Sequence, residues 1–263
     1  MESLILIWLA LLGACVGSFT NVVAWRWPRR ESVVTPGSHC PHCGHGIRWH
    51  DNLPVLGWLL LRGQCRDCGS PISWGYPTVE AFSALLWLSA LLVQAGGDLP
   101  AVLLPWAGLP LVALLLPLVL IDLDHLWLPE PLCRWGLVLG LALSSTGGAG
   151  LLADHLIAAS AALLLLEGLS ALAERCLGQP ALGLGDAKLA ALGGAWLGAA
   201  GIAAALAIAV MTGAAVGAVG RLTGRLRPRQ AFAFGPFIAL GIWLVWLTGP
   251  LWWWRAWWQL LGG

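Results

Sequence analysis

The feature that most constrains this chain is its succession of apolar segments, each close to the thickness of a bilayer. A membrane helix needs roughly 20 apolar residues, fewer where neighbours shield its ends. Such segments cover about 4–25, 78–96, 101–121, 131–147, 150–173, 186–198, 199–219 and 231–254. They predict an all-α polytopic membrane protein with about eight transmembrane helices, the sixth of them short. Of 263 residues, 59% are hydrophobic and 10% charged, against about 25% charged in a soluble domain. No core of this size hides that deficit, so lipid is the expected surround. The aromatic residues are mostly Trp, 18 against one Tyr, and Trp suits membrane interfaces, where one edge is apolar and the N–H is wet. A net charge of +1 argues against nucleic-acid binding. The first segment has no basic residues before it and continues through Gly17-Ser18-Phe19-Thr20 into Asn21-Val22-Val23. It therefore reads as a retained helix and not as a removed signal peptide.

The basic residues orient these segments. Arg26, Arg29, Arg30, Arg48, Arg62 and Arg66 follow the first, Arg134 lies near the start of the fourth, and Arg175 and Lys188 bracket the loop after the fifth. Arg221, Arg225, Arg227 and Arg229 follow the seventh, and Arg255 alone falls on the other side. The alternate loops, Gly96-Gly97-Asp98 and Ser144-Ser145-Thr146, carry no Lys or Arg. The positive-inside rule then puts the polar insert of 26–77 in the cytoplasm and both termini outside. Three regions follow: a first transmembrane helix (1–25), a cytoplasmic insert (26–77) and a membrane core (78–263). Small residues crowd the sixth and seventh segments, as in Gly193-Gly194-Ala195 and Gly213-Ala214-Ala215, and let helices approach closely in lipid.

The insert contains Cys40-Pro41-His42-Cys43, then 21 residues, then Cys65-Arg66-Asp67-Cys68. Two such pairs suit one tetrahedral zinc, each supplying two thiolates. A reducing compartment disfavours disulfides and so favours metal. His39, His42 and His45 lie close by, but four thiolates already close the site. A closed site has no position for substrate, so this zinc is structural. The alternative is four unrelated surface thiols. Cys15, Cys133 and Cys176 lie in apolar stretches and read as small buried hydrophobes.

Acids inside a bilayer are costly and usually functional. Glu2, Asp98 and Glu174 fall near segment ends, and Asp154, beside His155, lies close enough to an end to reach water. Glu167 lies deeper but belongs to no motif. Asp122 and Asp186 each sit at the edge of an apolar run in a patterned stretch, within Ile121-Asp122-Leu123-Asp124 and Gly183-Leu184-Gly185-Asp186. Glycines before an acid allow close backbone approach. Two carboxyls brought together cannot both ionise readily, and the retained proton is what an aspartyl protease uses. The plainer reading of Asp186 is a helix N-terminal carboxylate, stabilised there in any case.

Taken in order, these stretches resemble the prepilin peptidases, a family of Gly-x-Gly-Asp intramembrane aspartyl proteases. The resemblance runs over nearly the whole chain: Gly17–Val23, the Cys insert with Asp51-Asn52-Leu53-Pro54 and Leu61-Arg62-Gly63, Tyr76-Pro77 with Glu80, the Asp122 stretch, Gly183–Asp186, and Phe234-Gly235-Pro236-Phe237. It implies cleavage of leader peptides from type IV prepilins and pseudopilins at the cytoplasmic face of a bacterial inner membrane, with Asp122 and Asp186 as the catalytic acids. Asp122 is preferred over Asp124 because it precedes Leu128-Pro129 by the family's spacing and directly follows the apolar run. If the helix continues that far, residues two apart point about 200° apart, so Asp124 faces elsewhere, toward headgroups or Arg134. Members with the Cys insert also N-methylate the new terminus from S-adenosylmethionine. No methyl-donor motif is readable here, and the resemblance points only broadly to Asp51, Asn52, Tyr76 and Glu80. Gly75 stands where the family often has Arg, and Glu130 where Asp or Asn often follows Pro. Rival readings are a non-enzymatic zinc-containing scaffold of a pilus or secretion system, a proton-coupled transporter, and a protease with another substrate.

Overall fold

The computed structural model describes residues 2–92, 104–178, 183–225, 227 and 232–260. Helix is the dominant regular structure among them, with isolated bridges but no strands. The Gly96-Gly97-Asp98 loop, Arg229 and the starts of the third and last apolar segments lie outside the described residues. The chain forms two compact units, Met1–Leu91 and Leu92–Gly263.

In the first unit α1 (Glu2–Arg26) packs on α3 (Gly75–Ser89). Gly13 and Gly17, four apart on one face, make the contact. A Cβ at Gly13 would stand 2.8 Å from Trp87, and one at Gly17 would stand 2.7 Å from the Ser83 Cβ and 2.8 Å from the Glu80 Cα. Small residues at this spacing bring helix backbones together without a hydrophobic drive, which lipid cannot supply. The buried Ser83 hydroxyl then donates to the Gly13 carbonyl at 2.6 Å. Between the helices lies the insert, with the short α2 (Leu56–Leu60). Arg26, buried at the end of α1, donates to the carbonyls of Ser32 (3.0 Å), Pro36 (2.7 Å) and Gly37 (3.2 Å). It thereby ties down the chain leading to the first cysteine pair.

The second unit contains α4 (Leu104–His125), α5 (Glu130–Ser144), α6 (Ala149–Leu177), α7 (Leu184–Leu222), α8 (Gly235–Thr248) and α9 (Pro250–Leu260). α7 is central and packs on α5, α6 and α8. At 39 residues it would be about 58 Å long if straight, nearly twice a hydrocarbon core. It is broken at Gly198, whose φ of 68° and ψ of −175° are not helical. The Ile202 side chain lies 2.8 Å from where a Cβ on Gly193 would stand. In a straight helix those residues would be about 13.5 Å apart, so the chain folds back sharply. The break falls between the sixth and seventh apolar segments of the sequence. Asp154 of α6 fixes it by accepting the Ala199 N–H at 3.1 Å, while the buried His155 Nδ1 lies 2.9 Å from the Ala195 carbonyl. Asp154 is exposed, as its place near a helix end led one to expect, and it also serves as a helix cap.

Among the described residues four helices are long and apolar enough to cross a membrane: Ser3–Arg29, Trp106–His125, Ala149–Cys176 and Leu184–Leu222. The pair α8 and α9, bent by 98°, makes a fifth if the two are counted as one broken span. The chain is a multi-pass membrane protein. The last apolar segment is therefore not one straight helix. Gly249 takes a left-handed φ of 77° and Pro250 starts the next helix, the residue order that ends one helix and begins another. Of the three lone cysteines only Cys133 is buried, whereas Cys15 and Cys176 lie on outer helix faces. Apolar outer faces are expected where the neighbour is lipid.

Candidate active site and metal centre

In the second unit Asp122 lies near the C-terminal end of α4 and Asp186 in the first turn of α7. Both are buried, at 5% and 8% exposure. Each carboxylate accepts a backbone N–H at a helix start. Gly235, first residue of α8, donates to Asp122 Oδ2 at 2.9 Å, and Gly183, just before α7, donates to Asp186 Oδ2 at 3.3 Å. Helix N-termini present free amides and partial positive charge to such acids.

The glycines of both motifs have steric causes. A Cβ at Gly235 would stand 2.7 Å from Asp122 Oδ2, and one at Gly185 would stand 3.0 Å from the Leu128 Cβ. Leu126, with φ of 53°, turns the chain after α4 while its N–H bonds the Asp122 carbonyl at 2.9 Å. Buried Leu128 then packs against Gly185. α4 does continue past Asp122, and Asp124 is exposed on it. Arg134 bonds Glu130 at 2.6 Å and not Asp124. Glu130 also holds Lys188 at 3.2 Å, linking the starts of α5 and α7. Lys188 and then Arg134 keep the Glu130 carboxyl below its usual range. Glu167 is half-buried on α6, away from this arrangement.

In the first unit the ligand atoms of Cys40, Cys43, Cys65 and Cys68 lie within 4.8 Å of one another, and no histidine joins them. Cys40 Sγ and Cys68 Sγ are 3.8 Å apart. Zinc–sulfur bonds of about 2.3 Å at tetrahedral angles place sulfurs about 3.8 Å apart, so the four fit that metal. The two pairs share one backbone design. Gly44 N–H bonds the Cys40 carbonyl and Gly69 N–H the Cys65 carbonyl, each at 2.9 Å. Each glycine has a left-handed φ, 72° and 70°. The Cys40 and Cys65 amides bond the His45 and Ser70 carbonyls at 2.9 and 2.8 Å. The Ser70 hydroxyl and backbone draw the Cys68 thiol down to about 6, while burial and the neighbouring sulfurs push Cys43 up to about 12, as expected where four thiols crowd together and each thiolate opposes the next. Arg66 grips Asp51 with two parallel hydrogen bonds and holds that carboxyl below its usual range.

Asp51, Asn52, Tyr76 and Glu80 all line one cavity of about 380 Å³ in this unit. Sequence patterns did not single out Arg26, Asp154, the Glu130–Lys188 pair or the glycines after each cysteine pair. A Gly following both Cys-x-x-Cys stretches was the available signal for the last of these.

A helical membrane protein with two buried acids at helix ends, and a four-thiol cluster in its first unit, belongs among the membrane peptidases. The family is the type IV leader peptidases, to which this chain belongs. Residues 11–94 match the Bacterial Peptidase A24 N-terminal domain and residues 109–218 the Type IV leader peptidase family. The chain is 36% identical over 268 residues to the prepilin leader peptidase/N-methyltransferase of Aeromonas hydrophila, covering 91% of this chain and 89% of that one. Identity to the protein of that name from Myxococcus xanthus is 41% over 224 residues, covering 85% of this chain and 65% of that one. A type 4 prepilin-like proteins leader peptide-processing enzyme of Escherichia coli is 34% identical, with 87% and 88% covered. No solved structure matches the chain.

Proposed function

We propose that this protein cleaves leader peptides from type IV prepilins and pseudopilins with Asp122 and Asp186, and N-methylates the new terminus from S-adenosylmethionine. The observation that carries the first half is the geometry of two buried acids at helix ends, each held by one backbone amide, with Leu128 of the Asp122 stretch packed on Gly185 beside Asp186. Adjacent carboxyls retain one proton between them. The ionised one takes a proton from water, whose oxygen attacks the scissile carbonyl carbon. The protonated one donates to the carbonyl oxygen, and the C–N bond then breaks as the leaving nitrogen takes a proton. The printed names of the relatives support the second half. There the freed amine, having lost a proton to water, attacks the donor's methyl carbon. A C–N bond forms as the C–S bond breaks, and sulfur keeps the electron pair.

The remaining assignments belong to the same reading. Cys40, Cys43, Cys65 and Cys68 would hold a structural zinc that shapes the insert and takes no part in hydrolysis. The eight crossings are α1, α3, α4, α5, α6, the two halves of α7, and α8. The insert and the acids face the cytoplasm at a bacterial inner membrane, and residues 1–25, 26–77 and 78–263 act as anchor, zinc insert and protease core. Asp122→Asn and Asp124→Asn, compared at equal membrane levels with a prepilin scored by mobility shift, test the acid assignment. Asp122→Asn should lower cleavage by about 10³-fold or more, and Asp124→Asn should leave it within a few-fold. An active Asp122→Asn beside an inactive Asp124→Asn reverses the assignment. If both variants are active, the scaffold reading stands instead.

A further inference from the structure

The cavity in the first unit, about 380 Å³, falls within the range of about 300–1,000 Å³ typical of small-molecule sites. Four carboxylates line it: Glu31, Asp51, Asp67 and Glu80. Glu31 and Asp67 are exposed, and Asp51 is neutralised by Arg66. Glu80 differs from all three. It is only 8% exposed, and it accepts the Val55 N–H at 2.6 Å and the Ser18 hydroxyl. Among the described residues no cation lies within ion-pairing distance of it. Arg26, which also lines the cavity, is committed to three carbonyls.

Removing a carboxylate from water is costly unless a positive group answers it. Two hydrogen bonds hold Glu80 in place without neutralising it. The close approach of α1 and α3 at Gly17 sets Ser18 against Glu80 and leaves the carboxylate at the cavity wall. Also lining the cavity are Trp58, whose indole N–H is fixed on the Ile72 carbonyl at 3.0 Å, and Tyr76. Aromatic rings of this kind give a flat apolar surface for a heterocycle. A buried carboxyl with no cation beside it, set in a cavity with aromatic rings, suits a ligand with both a cationic centre and a planar ring, which would draw the carboxyl into its charged form.

We infer that this cavity is the methyl-donor site and that Glu80 faces the donor's sulfonium. This rests on the methyltransferase reading above. The sulfonium charge exists only before transfer, because the spent donor is a neutral thioether. A carboxylate at that point therefore holds the loaded donor and releases the used one. It also stabilises a charge that fades in the transition state, so it serves binding and exchange more than the methyl-transfer barrier.

The test is equilibrium binding of S-adenosylmethionine and S-adenosylhomocysteine to the purified full-length protein, by calorimetry without prepilin, with zinc content as the check on folding. Glu80→Gln should weaken S-adenosylmethionine by about 10-fold or more, as expected for losing a charged contact, while S-adenosylhomocysteine changes by less than about twofold. Glu80→Asp, which keeps the charge, should retain part of the preference, and it decides the matter should the Gln variant fail to hold zinc. Unchanged S-adenosylmethionine binding in Glu80→Gln, or equal weakening of both ligands, overturns the assignment. Wild-type protein that binds neither ligand, yet cleaves prepilin, overturns the methyltransferase reading along with it.

Discussion

The cysteine insert and the aspartate site reach fixed geometry by opposite means. The insert has one five-residue helix and gathers its four sulfurs with hairpin-like turns, a buried arginine and one bidentate ion pair. Little apolar surface is enclosed there, so a metal held by the four cysteines would supply the cohesion. The aspartates are positioned by long helices meeting at glycines, and their precision comes from close packing in which a single methyl group is too much. Loss of metal should therefore cripple the first region and spare the second, whereas a small steric change should do the reverse.

Cys65→Ser provides the largest expected effect. Structural zinc contributes about 10–16 kcal/mol in small domains, comparable to the whole stability of a typical fold. Zinc content should fall from about one per chain to near zero. The insert should become open to limited proteolysis, and methyl transfer should be lost while prepilin cleavage stays measurable. If a brief chelator treatment stops cleavage at once with the helices intact, the two regions are not independent in this way.

Gly235→Ala attacks the other region. The added methyl would sit 2.7 Å from Asp122 Oδ2 and must displace it from its amide. A misplacement of about 1 Å costs about 100-fold in rate, so turnover of prepilin should fall by that order with zinc content unchanged. Wild-type turnover by this variant would mean that the α8 amide does not position the acid.

Glu130→Gln should have the smallest effect. The Glu130–Lys188 pair is more than one-third exposed on each side, and such pairs are screened and weak. Cleavage should change by less than about threefold. Because the Glu130 carboxyl is held below its usual range, the pair stabilises the fold above the unfolded pKa of about 4.3. That contribution is lost as pH falls through the lower folded value. Thermal melts of wild type and variant should differ slightly at neutral pH and converge in acid. A gap that widens in acid contradicts the pairing.

The helices and the cysteine pairs were legible because their signals are local, residing in runs of apolar residues and in Cys-x-x-Cys. The choice of Asp122 over Asp124 was also local, resting on the spacing to Leu128-Pro129 and on the apolar run before it; Asp122 is buried and Asp124 exposed. Long-range contacts were not legible. Nothing in residues 122 and 235 announces that an amide of one meets a carboxylate of the other. Arg26 counted only as positive charge near a membrane, although its guanidinium organises the insert. The last apolar segment read as one crossing because apolar character persists through Gly249-Pro250, where backbone conformation changes and hydropathy does not. Asp154 is exposed as its position suggested, but its partner, the Ala199 amide, was not legible, because that amide is free only where α7 breaks at Gly198.

That break has a consequence for the bilayer itself. Residues 184–197, about 14 in number, make a rod of about 21 Å. α8 has 14 residues and α5 has 15, so they are equally short. All three begin near the acids, and each falls roughly 8–9 Å short of a hydrocarbon core about 30 Å thick. Mismatch of this kind is relieved by thinning the surrounding lipid, at a modest cost per ångström. The headgroup plane would then dip toward Asp122 and Asp186 on that side. Hydrolytic water would need only a shallow funnel to reach them, and a membrane-bound substrate could offer its cleavage site without its anchoring helix leaving the lipid.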